Sequence, residues 1–273
     1  MQIWCNQQWS DLENAPSAPL DRGSILGLGL FETLLALDGK PVFLERHLAR
    51  LRSACTRLNW EISYPDFSKI IPVLLAKSHL TLGPARLRIT VTAGSGPLND
   101  IQLGTDWKIW MSAQPLSQTP ASVTALLSPW PRNENSPLVG LKCASYAENL
   151  LALDHARRLG FAETLFLNTA GHLCEAATAN LFLVKNGVLF TPSRASGCLP
   201  GIAREVVLEI ANHHKIEAHE CTLTQEDLAD ADEVFTTSSI RGVQSISKIA
   251  TKSFQTTAIT SLLRDYWIVE TST

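Results

Sequence analysis

Two short turn sequences, each set between apolar runs, constrain the fold of this chain more than any other feature. They are Asp38-Gly39 and Asn186-Gly187. Both residues of such a pair tolerate the positive φ angles of a two-residue hairpin turn, so each pair predicts a β-hairpin. Antiparallel sheet is therefore expected in both halves of the chain. The predicted hairpin strands are residues 31–37 with 40–44, and residues 181–185 with 188–191.

Helices and further strands are predicted around the two hairpins, without the regular strand–helix–strand alternation of a parallel fold. Leucines recur at helical spacing in residues 44–59, and Thr224 is placed to cap a short helix. Apolar and polar residues alternate in residues 86–92, as in a half-buried strand. The other predicted helices are residues 67–80, 147–158, 201–213 and a C-terminal helix that uses Ile259, Leu262, Leu263 and Tyr266, and the other predicted strands are residues 106–113, 123–127 and 233–237.

A change in composition near the middle of the chain predicts a domain boundary. Residues 114–122 are rich in Pro, Ser, Thr and Gln, which is typical of a linker. The length of 273 residues favours about two domains. The prediction is a small N-terminal domain at 1–115, an interdomain linker at 116–122 and a large C-terminal domain at 123–273, both domains being of the α+β class.

Charge and cysteine content argue against several classes of partner. The net charge of −3 and the dispersed basic residues do not fit binding to nucleic acid or to an anionic membrane surface. No apolar run approaches the roughly 18 residues that a membrane-spanning helix needs. The six cysteines are scattered without a C-x-x-C pair, and residues 1–6 lack the features of an export signal. The expected location is the cytoplasm, with reduced thiols.

Several common catalytic and binding motifs are incomplete in this sequence. The glycines at 23, 27 and 29 do not have the G-x-G-x-x-G spacing of a nucleotide loop, and Ser95 lacks a G-x-S-x-G context. The histidines near position 213 have no H-E-x-x-H or C-x-x-C motif, so no metal site is predicted. Any chemistry must come from other side chains.

Three segments of the second half carry chemically useful residues, and each also has an ordinary structural interpretation. Lys142 lies in an apolar run before a helix, where a lysine is more often a solvated surface residue. Glu175 lies among small residues before the second hairpin, where an exposed turn glutamate is the alternative. Gly201 begins a helix whose free N–H groups could hold a phosphate, or is simply part of a tight turn. The three segments are more informative in combination than any one of them alone.

This set resembles the class IV aminotransferases, and the resemblance covers nearly the whole chain in six segments that follow the family's order. The segments are residues 21–33, 47–51, 138–152, 173–184, 199–204 and 232–239. The resemblance implies a two-domain α+β enzyme of fold type IV, like the D-amino-acid aminotransferases, that uses pyridoxal 5′-phosphate (PLP). It further implies a small N-terminal α/β sandwich, a larger C-terminal domain with a barrel-like sheet, and a homodimer.

The same resemblance assigns roles to individual residues. Lys142 matches the lysine that binds PLP covalently and then moves the substrate proton, and Glu175 matches the acid beside the pyridine nitrogen. A carboxylate there keeps that nitrogen protonated, which makes the ring a better electron sink. The other implied cofactor-binding residues are Arg50, Ile202, Ala203, Ser238 and Ser239 at the phosphate, together with Asn180 and Tyr146.

The reaction within this family depends on finer local features, three of which resemble the 4-amino-4-deoxychorismate lyases. Residues 86–97 resemble the lyase pattern around R-G-S-G, although Ala93 replaces its arginine and residues 97–99 replace its basic continuation. Residues 238–243 resemble the lyase segment N-S-L-R-G-V, where branched-chain aminotransferases have a different run. Ala93 also removes the arginine that D-amino-acid enzymes use for the substrate carboxylate.

The resemblance thus implies a lyase that converts 4-amino-4-deoxychorismate to 4-aminobenzoate and pyruvate, with Lys142 as the base. The two carboxylates of this substrate need cations or N–H donors. For Arg86 and Arg88 a solvated strand face is the alternative interpretation. The predicted substrate-binding residues are Glu32, Thr33, Arg86, Arg88 and Arg241.

Two other functions stay open on the sequence. The same residues could run transamination between an amino acid and a 2-oxo acid, as in a branched-chain or other class IV aminotransferase, because substrate placement decides the outcome. A catalytically inactive binding protein is a further alternative, against which the retained Lys142, Glu175 and Arg50 argue. Product analysis separates the two enzymes. Full function in a Lys142→Ala variant would favour the binding protein.

Overall fold

The computed structural model describes residues 1–15, 20–96, 106–256 and 258–272, and the chain folds into two compact units. Unit 1 comprises Met1–Gln118 and Leu141–Tyr146, and unit 2 comprises Thr119–Gly140 and Ala147–Thr273. The chain first passes from unit 1 to unit 2 within the predicted linker. The segment Leu141–Tyr146 differs from the predicted domain limits, because its backbone bonds to a strand of unit 1 and so brings Lys142 into that unit.

Unit 1 is a six-stranded antiparallel sheet with helices packed against it. The strand order is β2-β1-β6-β5-β3-β4. Its strands are β1 (Gln2–Cys5), β2 (Gln8–Asp11), β3 (Gly29–Leu37), β4 (Lys40–Pro41), β5 (Pro84–Thr92) and β6 (Lys108–Pro115), and its helices are α1 (Arg22–Leu26), α2 (Leu44–Arg57) and α3 (Phe67–Lys77).

The Asp-Gly hairpin of unit 1 is confirmed. Leu37 pairs with Lys40, and Asp38 and Gly39 have φ angles of 46° and 78°, as a tight hairpin turn requires. Strand β4 ends at Pro41, three residues earlier than predicted, because Phe43 turns into the left-handed region and precedes helix α2.

The long central strands of unit 1 carry its hydrophobic core. Strand β5 alternates buried and exposed residues, as predicted, and pairs along its whole length with β3. Helix α2 buries Leu48, Leu51 and Cys55, which lie on one face at helical spacing. It ends at Arg57, since Asn59 takes a positive φ of 56°. This packing fixes β3 and α2, which carry several of the predicted site residues.

Unit 2 is built on a nine-stranded mixed sheet. The order is β12-β11-β10-β13-β14-β7-β8-β9, with β15 paired to β14, and the pairs β11–β12, β14–β7 and β7–β8 are parallel. Its strands are β7 (Ser122–Leu127), β8 (Glu163–Leu167), β9 (Leu173–Ala176), β10 (Asn180–Lys185), β11 (Val188–Pro192), β12 (Ala218–Cys221), β13 (Glu233–Ser238), β14 (Gly242–Ile249) and β15 (Lys252–Ser253), and its helices are α4 (Ala147–Arg158), α5 (Ile202–His213), α6 (Gln225–Asp230) and α7 (Ala258–Ser272).

Local signals in unit 2 fold as predicted. The Asn-Gly hairpin is confirmed, with Lys185 paired to Val188 and φ angles of 52° at Asn186 and 80° at Gly187. Thr224 caps α6 in a reciprocal capping box with Asp227. Helix α4 has the predicted bounds. Within the described ranges, no helix has the length and apolar character that crossing a membrane requires.

Candidate active site

Lys142 lies beside a strand of unit 1 and faces two aromatic rings. The Phe31 N–H donates to the Lys142 carbonyl at 2.8 Å, and the Ala144 N–H donates to the Gly29 carbonyl at 2.7 Å. Lys142 Nζ is 4.3 Å from the centroid of the Phe31 ring and 5.5 Å from that of Tyr146. The two rings meet edge to face at 5.5 Å. The backbone hydrogen bonds around Lys142 therefore hold its amine next to the rings of Phe31 and Tyr146.

Arg88 contacts the same aromatic ring as Lys142. Its Cζ lies 3.9 Å from the Phe31 centroid, and its Nε donates to Thr90 Oγ1 at 3.1 Å. Lys142 Nζ and Arg88 Cζ are therefore separated by at most the sum of their two distances to the Phe31 centroid. Partial desolvation lowers the pKa of the Arg88 guanidinium. Thr33 pairs with Arg88 across β3 and β5, and Arg86 is exposed two residues earlier on that face.

Glu32 is buried and engages two basic side chains of helix α2. Its Oε1 accepts from Arg50 Nε at 2.8 Å, and its Oε2 accepts from Arg50 Nη2 at 2.6 Å. His47 Nδ1 lies 2.7 Å from the same Oε2. Glu32 was predicted near the substrate, and Arg50 was predicted at the phosphate. The structure joins them in a two-point ion pair, a fork geometry that fixes the guanidinium plane.

Glu32, Arg50 and His47 influence one another's charge. Burial by itself raises the pKa of the Glu32 carboxyl, but the charge and hydrogen bonds of Arg50 and the hydrogen bond to His47 outweigh it and lower that pKa to about 2. Burial lowers the pKa of His47, against the opposing influence of Glu32. Lys142 also acts on His47 electrostatically. Glu32 is therefore a carboxylate at neutral pH, next to a neutral histidine.

Glu175 is buried in strand β9 of unit 2 and is oriented through both carboxylate oxygens. Its Oε2 accepts from the Leu199 N–H at 2.9 Å. Its Oε1 lies 3.4 Å from Arg132 Nη2. Glu175 is only 9% exposed, so the alternative of an exposed turn glutamate does not hold. A carboxylate fixed in this way can accept a further N–H.

The N-terminus of helix α5 is fixed by Asn180. The Asn180 Nδ2 donates to the Leu199 carbonyl at 2.8 Å. A Cβ at Gly201 would lie 1.9 Å from Asn180 Oδ1, so only glycine fits beside this amide. Ile202 and Ala203 begin the helix and are buried. The first N–H groups of a helix have no partner within it, and they favour an anion.

A buried hydroxyl lies on the same sheet face as Asn180. Thr237 pairs with Asn180 directly across β13 and β10, and directly opposed residues share a face of the sheet. The Thr237 side chain is 1% exposed, and its Oγ1 has no hydrogen-bond partner among the described residues. Such an orphaned donor near a helix N-terminus fits a polar ligand that completes its hydrogen bonds.

The turn after β13 carries the last predicted site residues. The Arg241 N–H donates to Ser238 Oγ at 3.2 Å, which closes the turn around Ser239. Arg241 Nη2 donates to Thr178 Oγ1 at 2.8 Å and to the buried Glu163 at 3.2 Å. The guanidinium predicted to bind a substrate carboxylate thus already has an acidic partner.

Sequence reasoning missed several residues that contact the predicted site residues. Phe31 and His47 lie within segments that carried the family resemblance, and a closer reading of those segments could have singled them out. Arg132 and Glu163 gave no signal, because they lie outside those segments and have no motif of their own. The departure at residues 97–99 lies outside the described residues.

Comparison with known proteins supports the resemblance. The sequence model of the amino-transferase class IV family matches residues 29–249. A branched-chain-amino-acid aminotransferase of Salmonella typhimurium is 31% identical over 90% of this chain and 85% of its own length. An aminodeoxychorismate lyase of Bacillus subtilis is 26% identical over 90% of this chain and 86% of its own length.

Solved structures agree with these sequence matches. The crystal structure titled "Putative 4-amino-4-deoxychorismate lyase" from Legionella pneumophila has a TM-score of 0.89 and 29% identity, over 94% of this chain and 97% of that one. The fold type IV prediction and the PLP prediction are both confirmed. Since the family match spans most of the residues, this chain belongs to the class IV aminotransferases, a family of PLP-dependent enzymes.

Proposed function

We propose that this chain is a 4-amino-4-deoxychorismate lyase that forms 4-aminobenzoate and pyruvate. The observation that carries the proposal is the shared contact of Lys142 Nζ and Arg88 with the Phe31 ring. It supports an anionic substrate, because the Arg88 guanidinium and the Lys142 amine lie on one aromatic ring. A substrate carboxylate can pair with Arg88 while the amine-bearing carbon of the substrate faces Lys142.

The residues that the resemblance assigns to PLP fit the chemical groups of this cofactor. Lys142 would hold the cofactor covalently through Nζ, and Glu175 would accept the pyridine N–H. The phosphate would accept hydrogen bonds from the N–H groups of Ile202 and Ala203 and from the Thr237 hydroxyl, which has no partner among the described residues. Arg50, Ser238 and Ser239 are the other proposed phosphate ligands, with Asn180 and Tyr146 beside the cofactor. When bound, PLP supplies an electron sink for the carbon that bears the substrate's amine.

Lys142 carries the proton transfer in this proposal. Its Nζ takes the proton from the amine-bearing ring carbon, while the bond from the neighbouring ring carbon to the enolpyruvyl oxygen breaks. The leaving group takes up a proton and becomes pyruvate, and the ring becomes aromatic. Every atom of the substrate appears in one of the two products, so the step needs no oxidant or second substrate.

The lyase pattern around Arg241 supports this reaction over transfer of the amine, and Ala93 argues against a D-amino-acid aminotransferase. Arg88 and Arg241 are proposed as partners for the two substrate carboxylates. Arg86 and Thr33 are proposed to lie at the edge of the site. Because Glu163 already neutralises part of the Arg241 charge, Arg88 is the stronger of the two anchors.

Transamination of a branched-chain amino acid is the second candidate function. The observation that favours it is the 31% identity to branched-chain aminotransferases over most of the chain. Its reaction would use the same Lys142 but would return the proton to the cofactor instead of expelling a leaving group. A 2-oxo acid is required as the second substrate of a transaminase and plays no part in the lyase.

Incubation with 4-amino-4-deoxychorismate alone separates the two candidates. We expect equal amounts of 4-aminobenzoate and pyruvate, measured by chromatography, without any added 2-oxo acid. Arg88→Met should raise KM by roughly tenfold or more, since it loses a charge-assisted contact. Arg52→Met, which removes an exposed arginine of helix α2, is the matched control and should change KM little. Product formation only from a branched-chain amino acid with a 2-oxo acid would overturn the lyase proposal.

Gly201→Ala should weaken PLP binding by about tenfold, the loss expected for one charge-assisted hydrogen bond. The new Cβ displaces the Asn180 amide and breaks its bond to the Leu199 carbonyl. Equilibrium dialysis against PLP measures the change. In an Asn180→Ala background the same substitution meets no amide and should have little further effect. Unchanged PLP affinity in the single variant would contradict this role of Asn180.

A further inference from the structure

Arg132 is held rigidly next to Glu175 by its own backbone and stem. Its N–H donates to the Leu167 carbonyl at 2.7 Å, and it forms a parallel bridge with Asn168. Its Cζ lies 4.7 Å from the centroid of the Phe166 ring. The side chain is 17% exposed. These contacts fix the Arg132 guanidinium against strand β8, which pairs with strand β9 that carries Glu175.

The guanidinium of Arg132 is paired mainly through charge. Its Nη2 lies 3.4 Å from Glu175 Oε1, and its Nη1 lies 3.8 Å from the exposed Glu148. Its Nε and Nη2 are buried, and neither has a hydrogen bond with suitable geometry among the described residues. A buried cation is costly unless an opposite charge compensates it. The position of the Arg132 charge next to Glu175 therefore indicates that Arg132 acts on this carboxylate.

We propose that Arg132 is a positioning residue that keeps Glu175 ionised and aimed at the pyridine nitrogen of PLP. The inference rests on the proposed role of Glu175. The Leu199 N–H fixes Oε2, and Arg132 faces Oε1, so the carboxylate plane is set from two sides. A carboxylate without the cation would take up a proton more readily and would then no longer hold the ring nitrogen protonated.

Two thiols lie near Glu175, and each has a raised pKa. Burial and the Glu175 charge raise the pKa of the Cys174 thiol, and the same two causes raise the pKa of Cys198. Both thiols therefore stay neutral and contribute no charge of their own at neutral pH. Glu148 faces Arg132 from helix α4, but it is exposed and so screened by water.

The test is the pH dependence of PLP binding to the full-length protein. Tryptophan fluorescence would follow the titration with PLP, and visible absorption would report the protonation of the bound cofactor. In Arg132→Met, the pH below which binding weakens should move up by about one to three units, the range by which a neighbouring cation shifts a carboxyl group. Arg132→Lys should restore most of the original profile, because it keeps the charge.

Matched variants separate this effect from a general loss of structure. Arg158→Met removes an exposed arginine of unit 2 and should leave the profile unchanged. If Arg132→Met does not fold, Arg132→Gln is the second neutral variant. In a Glu175→Gln background, loss of Arg132 should no longer move the profile, since the group it acts on is gone.

An unchanged profile in a folded Arg132→Met or Arg132→Gln protein would overturn the inference, and so would a shift that persists in the Glu175→Gln background. Absence of lyase product leaves this result standing, because the readout is PLP binding. Failure of the lyase proposal and failure of the Arg132 proposal are thus distinguishable.

Discussion

Replacing Lys142 by alanine is expected to lower turnover by at least about 10⁴-fold, the upper range for removal of a positioned acid–base group, while the chain keeps its fold. Two proposed functions of Lys142 would be lost together in this variant, the covalent hold on PLP and the transfer of the substrate proton. The Nζ contact with the Phe31 ring contributes about 1 kcal/mol.

Two measurements check this expectation. Product formation is followed at saturating PLP, so that weaker cofactor binding does not mask the loss of the base. Borohydride reduction and mass spectrometry of the wild-type protein should place the added mass on the peptide that contains Lys142. Lys69→Ala, an exposed lysine of helix α3, is the matched control and should retain full activity. Substantial turnover in Lys142→Ala would contradict the proposed base.

Local sequence signals predicted the hairpins and helices well, because each depends on a few neighbouring residues. The Asp38-Gly39 and Asn186-Gly187 turns and the Thr224 cap are examples. Strand β14 was missed, since Gly242–Ile249 mixes polar and apolar residues and is buried by parallel pairing with β7, a contact more than 100 residues away in sequence. The parallel pairs of unit 2 were missed for the same reason.

The site could be predicted only where the family resemblance reached. The segments around Lys142 and Glu175 led to their prediction as site residues, but nothing in the sequence indicated that Lys142 folds with unit 1. The partners of the predicted residues depend on tertiary packing. Arg132 beside Glu175, and Glu163 beside Arg241, each join strands or loops that are far apart in the chain. Charge pairing of this kind is not visible in local patterns.

Glu32→Gln is expected to destabilise the protein by roughly 3–5 kcal/mol at pH 7, the cost of breaking one partner out of a buried ion pair. Glu32 is 1% exposed and accepts both donors of the Arg50 fork. The variant leaves the guanidinium without its counter-charge, and it weakens the bond to His47. Urea unfolding of the PLP-free protein measures the loss. Glu45→Gln, which changes an exposed glutamate of helix α2, should change stability little.

The double variant Glu32→Gln/Arg50→Met sharpens this prediction. Removing both charges avoids the unpaired cation, so the double variant should be more stable than Glu32→Gln alone. The same double variant should bind PLP more weakly than the wild type, since Arg50 is a proposed phosphate ligand. Stability and cofactor affinity should therefore move in opposite directions between the single and the double variant, which a purely structural role for Arg50 would not produce.

The pH dependence of the Glu32→Gln effect follows from the pKa of Glu32, which is lowered from 4.5 to about 2 in the folded protein. A carboxyl with a depressed pKa stabilises the folded state above its unfolded pKa and loses that contribution as the pH falls through the folded value. The free-energy difference between wild type and Glu32→Gln should therefore shrink by roughly 3 kcal/mol between pH 4.5 and 2. A difference that stays constant over this range would show that the Glu32 charge does not stabilise unit 1. Arg50 would then be oriented by packing, and Glu32 would be available for the substrate role that the sequence predicted.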